Sequence, residues 1–172
     1  MVVKAVSKPQ AGGAPDVAGP LSDTKAVHAA RIGNLRLLIV DDDANTRAML
    51  LEAFDLCGAT VCAVPNAEMA RRAIAQWRPN AFLSDIDMPG EDGIELIRSV
   101  RDLPPGEGGT LPAIAFTGYA RDADRMLDAG FDAVVAKPIA LDVLIDTIVH
   151  VVDDSRGPIA SGRARLPPAR DS

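Results

Sequence analysis

Cysteine, histidine and aromatic residues are scarce in this chain, and each scarcity removes a class of function. Two cysteines, Cys57 and Cys62, cannot found a disulfide framework in 172 residues. They read as small, reduced core residues rather than as a redox or metal pair. With only His28 and His150 beside them, zinc chemistry is short of ligands. No run approaches the ~18 uninterrupted apolar residues that a spanning helix needs, which excludes an integral membrane protein. The N-terminus also lacks the apolar segment of a secretory signal, so a cytoplasmic location is expected. Cations are outnumbered, 18 Lys plus Arg against 24 Asp plus Glu, giving a net charge of −6 and a pI of about 4.8. Direct binding of nucleic acid is not expected without a basic footprint.

What is present is ordinary globular composition, 48% hydrophobic and 24% charged. All six aromatics (Phe54, Trp77, Phe82, Phe116, Tyr119 and Phe131) fall between residues 35 and 152. Because aromatics carry much of a core's buried area, that stretch is read as the domain. Residues 1–34, rich in Ala, Gly and Pro, read as a mostly flexible leader. The pattern there offers a weak helix from Ser22 to about Ile32, too short to hold alone. Residues 153–172 read as a disordered tail. The acidity belongs to the domain, which carries −9 between a leader of +2 and a tail of +1.

Within 35–152, short apolar runs alternate with helical patterns. The runs at 35–40, 60–64, 81–84, 113–116 and 133–136 have strand character. Between them, Ala70, Ala73, Ile74 and Trp77 recur at helical spacing, as do Leu141, Leu144, Ile145, Ile148, Val149 and Val152. Five strands, each followed by a helix, predict an α/β fold: a doubly wound parallel sheet with right-handed crossovers and helices on both faces.

In such sheets ligands bind outside the carboxyl ends of the strands. The first strand is followed by Asp41, Asp42 and Asp43, and the third by Asp85 with Asp87 two residues on. The fourth is followed by Thr117 and Gly118, and the fifth by Lys137 and Pro138. The triplet alone is explained as well by a helix cap from Asp42 or Asp43. The gathering of four polar clusters on one rim is not. Two carboxylates about 4 Å apart repel by roughly 1 kcal/mol in water and about 4 kcal/mol at an effective dielectric near 20. A hard divalent cation relieves that repulsion, and Mg²⁺ favours a few carboxylates, waters and a phosphate. Lys137 suits a phosphate oxygen, and Asp85 can serve as the nucleophile that takes a phosphoryl group.

These residues resemble the receiver domain of bacterial two-component response regulators. The resemblance rests on LLIVDDD (37–43), FLSDIDMPGEDG (82–93), IAFTG (114–118) and VVAKPI (134–139). It implies a flavodoxin-like (βα)5 sheet of strand order 2-1-3-4-5. It further implies Asp85 as phospho-acceptor and Mg²⁺ held by Asp42 and Asp85, with Asp41 assisting and the backbone carbonyl of Asp87 completing the set. Lys137, Thr117 and Gly118 would bind the phosphoryl group, and the Lys137–Pro138 bond is commonly cis in the family. The implied partner is a sensor histidine kinase or a histidine phosphotransfer protein. Catalysis would be limited to Mg²⁺-dependent autophosphorylation and slow self-dephosphorylation, so the chain would not be an enzyme proper.

The GEDGIEL and FTGYARDADRMLDAGFDAVVAKPI segments are most similar to receivers of hybrid sensor kinases. Only 20 residues follow Val152, too few for a DNA-binding or catalytic output domain, which predicts a stand-alone receiver that signals by protein contacts or the terminal receiver of a phosphorelay; a monomer or weak dimer is expected. Val134 stands where receivers often carry an aromatic switch residue. Tyr119 and Asp87 occupy positions that vary in the family, where phosphoryl lifetime is tuned. His28 lies in no phosphohistidine motif. The alternative is a haloacid-dehalogenase-like phosphatase with Asp85 as nucleophile, but its acidic pair would normally follow the lysine rather than precede Asp85.

Overall fold

Alternation along each apolar run decides which side chain meets which helix layer, since successive residues of a strand point to opposite faces of the sheet. The computed structural model describes residues 2–4, 20–118, 120–138 and 140–156. Its elements in chain order are β1 (Val2–Lys4), α1 (Pro20–Ile32), β2 (Arg36–Val40), α2 (Ala44–Leu56), β3 (Thr60–Val64) and α3 (Ala67–Trp77). They continue as β4 (Ala81–Ser84), α4 (Gly93–Arg101), β5 (Ala113–Thr117), α5 (Ala123–Ala129), β6 (Ala133–Ala136) and α6 (Leu141–Arg156).

The sheet order is β1-β3-β2-β4-β5-β6. Strands β2 to β6 are the five expected from the sequence, all parallel and in the expected 2-1-3-4-5 order. Leu37 and Ile39 face one helix layer, formed by α1, α2 and α6. Leu38 and Val40 face the other, formed by α3, α4 and α5. Both faces of the sheet are therefore covered, as a parallel sheet requires, and Phe54 and Phe82 sit fully buried on opposite sides.

The region assigned to a flexible leader needs correction within the described residues. Helix α1 starts at Pro20, two residues before the expected Ser22, and it is docked. Ile32 is fully buried in the first core, His28 is buried, and Arg31 pairs with Asp146 of α6. A helix of this length holds because tertiary packing supplies what its own propensity does not. Residues 2–4 add β1 antiparallel to β3, which pairs an otherwise open sheet edge. At the other end α6 runs to Arg156, past the expected boundary at Val152. The rest of the expected leader and tail (1, 5–19 and 157–172) lies outside the described residues, as do Tyr119 and Ile139.

Candidate phosphoryl-acceptor site

The strand ladder extends past the strand ends and fixes the acidic residues on the rim. Asp85 N–H donates to the Val40 carbonyl at 2.7 Å, and Asp41 N–H donates to the Val64 carbonyl at 3.2 Å. On the far side, Lys137 N–H donates to the Thr117 carbonyl at 2.8 Å. Asp41, Asp85 and Lys137 are thus placed at their strand ends by backbone pairing with the neighbouring strand, as Thr117 is by its register with Ala136. The Lys137–Pro138 peptide is cis.

The three aspartates of the DDD turn divide their work. Asp43 caps α2, accepting from the N–H groups of Asn45 (3.3 Å) and Thr46 (2.9 Å) and from the Thr46 hydroxyl (2.7 Å). These donors hold its carboxyl below the usual range. Asp41 and Asp42 remain for the site. With Asp85 they form a group of carboxylates whose nearest oxygens lie within 4.8 Å of one another. Asp41 is only 1% exposed, Asp85 is buried and Asp42 is open to solvent. Such a set of oxygens, one edge open to water, fits a hard divalent cation that keeps part of its hydration shell.

Lys137 joins the two buried carboxylates. Its ammonium is 2.7 Å from Asp41 Oδ2 and 3.3 Å from Asp85 Oδ1. The remaining Asp41 oxygen accepts the Asp43 N–H at 2.8 Å, and Asp85 Oδ1 accepts the Ile86 N–H at 2.9 Å. Burial pushes the Asp41 carboxyl above its ordinary value, against the opposing pull of the hydrogen bond from Lys137. The ammonium also lies over the ring of Phe116, 4.9 Å from its centroid.

Thr117 is fully buried at the end of β5, and Gly118 beside it is exposed with open space on its Cβ side. Asp87 is exposed, and its carboxylate is not part of the three-membered group. Val134 is half-buried and packs against the second core, paired in register with Ala115.

Three contributors were not singled out as site residues in the sequence. Arg47 donates from one guanidinium nitrogen to the carbonyls of Asp41 (2.7 Å) and Asp42 (2.9 Å), bracing the acidic turn from α2. Gly93 is required by close approach: a Cβ there would stand 2.3 Å from the Asp85 carbonyl oxygen. Phe116 read only as a core aromatic. The loop between β4 and α4 is held further by two hydrogen bonds from Arg71 of α3 to Glu91, one of them at 2.8 Å. That pair lowers the Glu91 carboxyl below its usual value.

A family model described as the response regulator receiver domain matches residues 37–155. An uncharacterized 14.6 kDa protein of Leptolyngbya boryana is 44% identical over 110 residues, 63% of this chain and 82% of that protein. The virulence sensor protein BvgS of Bordetella pertussis is 33% identical over 162 residues, 90% of this chain but only 13% of BvgS. Among solved structures, the receiver domain of a sensor histidine kinase from Pseudomonas aeruginosa PAO1 has a magnesium ion coordinated in its active site cleft. It aligns with a TM-score of 0.64 at 26% identity, covering 70% of this chain and 98% of that one. The match over nearly all of the described domain, on a sheet of the same strand order, makes this chain a member of the response regulator receiver family of two-component signalling.

Proposed function

We propose that Asp85 accepts a phosphoryl group from a phosphohistidine of a sensor histidine kinase or phosphotransfer protein, and that the chain signals by protein contacts. The observation that carries this reading is the Lys137 ammonium held between Asp41 and Asp85 at the edge of the three-carboxylate group. In the transfer, an Asp85 oxygen forms the new O–P bond in line as the N–P bond to the donor histidine breaks. The electron pair stays on the ring nitrogen, which takes up a proton. Lys137 pairs with the phosphoryl oxygens, so the protein contributes positioning and charge rather than covalent steps. Thr117 and Gly118 supply donors at the far side of the group. Attack of water on the acyl phosphate resets the site, at a rate tuned by Asp87 and Tyr119.

Asp41, Asp42 and Asp85 would hold Mg²⁺, with the Asp87 backbone carbonyl as a further ligand. Bound there, the ion supplies positive charge to the phosphoryl oxygens. The acidic domain and the lack, among described residues, of a helix able to cross a membrane fit a protein partner met in the cytoplasm. The phosphatase alternative has less support, because the acidic pair directly follows β2, ahead of Asp85, within the stretch matched as a receiver domain.

Incubation with radiolabelled acetyl phosphate and Mg²⁺ tests the reading. The wild-type chain should take up one label per molecule, and Asp85→Asn should take up none above background. Equal labelling of both would refute it, and many substrate equivalents hydrolysed per chain would favour the phosphatase.

A further inference from the structure

Lys137 carries its charge on a flexible four-carbon stem with three donors. Two directions are occupied by Asp41 at 2.7 Å and Asp85 at 3.3 Å. From the side of β5, the face of the Phe116 ring underlies the ammonium at 4.9 Å, inside the ~6 Å range of a cation–π contact. Phe116 is only 4% exposed, so the contact is largely withdrawn from water, where such contacts are strongest. The same strand ladder that hydrogen-bonds Lys137 N–H to the Thr117 carbonyl sets Phe116 one residue before that anchor. The lysine is thus fixed at its backbone by Thr117 and at its ammonium by two carboxylates and a ring. Meanwhile Val134 on β6 provides no aromatic group.

We propose that Phe116 is a positioning residue for Lys137: its ring face holds the ammonium between Asp41 and Asp85, where it meets an incoming phosphoryl group. The reading rests on Asp85 being the acceptor. When acetyl phosphate is the donor, the Asp85 O–P bond forms as the P–O bond to acetate breaks, and acetate leaves with the electron pair. The ammonium counters charge on the phosphoryl oxygens throughout, and a ring that drains its density no longer holds it in place. A Phe116 that only filled core volume would respond to size, not to ring electronics.

The test replaces Phe116 in the full chain with phenylalanines bearing one to four ring fluorines, which keep the shape while weakening the face charge. Phe116→Leu serves as a non-aromatic comparison. Phosphorylation by acetyl phosphate with Mg²⁺ is followed by intact mass, alongside thermal unfolding. The rate should fall stepwise with fluorine number, to about three- to tenfold below wild type, while the unfolding midpoint does not follow that order. In a Lys137→Met background the fluorine series should be flat, since the coupling is removed with the ammonium. A flat series in the wild-type background would overturn the proposal, as would an equal decline in both backgrounds. Failure of the wild-type chain to take phosphoryl on Asp85 would instead remove the acceptor reading, and this proposal with it. Asp85-dependent uptake that ignores ring fluorination removes this proposal alone.

Discussion

One ammonium is shared between two buried carboxylates: Lys137 is the counterion of Asp41 and lies beside Asp85, and in the proposed transfer it also meets the phosphoryl group. Lys137→Met keeps most of the stem's volume and removes the charge. Phosphoryl uptake at Asp85 should fall at least tenfold, equivalent to about 1.4 kcal/mol in barrier, as read by time courses with acetyl phosphate. A loss smaller than twofold would show that the ammonium does not meet the phosphoryl group. At this scale the sequence exposed Asp41, Asp42, Asp85, Thr117 and Lys137 because each sits at the end of a recognisable apolar run. Asp43 was separable from its two neighbours only once its cap hydrogen bonds to α2 were visible. Arg47 and Phe116 stayed hidden for other reasons. Phe116 meets a lysine just past the next strand, a contact that exists only after the sheet is assembled, whereas Arg47 braces backbone carbonyls five and six residues back, which no side-chain pattern marks.

At the scale of elements, α3 is tied to the loop that begins at Asp85 by the Arg71–Glu91 pair. Glu91 has a folded-state pKa lowered from 4.5, chiefly by its hydrogen bond to Arg71. Its stabilising contribution is therefore present above pH 4.5 and is lost as pH falls through the folded value. Both side chains are about a third exposed, so the pair is screened and contributes at most about 1 kcal/mol. Denaturant unfolding of Glu91→Gln should show that deficit at pH 7 and none once pH falls below the lowered folded value. A deficit unchanged down to pH 3 would contradict the assignment.

Helix α1 makes a second prediction at the same scale. Ile32 is fully buried against the first core, so Ile32→Ala should cost about 2–5 kcal/mol in chemical unfolding. A cost below about 0.5 kcal/mol would mean that the helix does not dock. The five parallel strands were legible because their apolar runs and intervening helical stripes are local. The docking of α1 was not. Its own apolar pattern is weak, and the partners that hold it, Asp146 and the core beneath α6, lie far along the chain.

For the whole molecule, the net charge of −9 on residues 35–152 is partly concentrated at one rim, where burial already pushes the Asp41 carboxyl upward. A divalent cation that binds the folded site and not the unfolded chain must raise stability by mass action, about 2.7 kcal/mol when present at 100 times its Kd. Thermal unfolding should therefore shift upward with Mg²⁺, and the shift should vanish in a variant carrying both Asp41→Asn and Asp42→Asn. A shift of the same size in that variant would place the ion elsewhere. The doubly wound architecture was readable at this scale because strand, helix and connection all pointed to one topology.

Which atom takes the phosphoryl group decides whether the three-carboxylate rim is a receiver site. Treating the Mg²⁺- and acetyl phosphate-incubated chain with borohydride converts an aspartyl phosphate to homoserine, and peptide mass spectrometry then locates the change. The expected result is homoserine at position 85 and at no other aspartate, in a fraction that rises with time and depends on Mg²⁺. Conversion at Asp41, Asp42 or Asp87 with Asp85 intact, or labelled phosphate found on a histidine, would contradict the site described for this receiver.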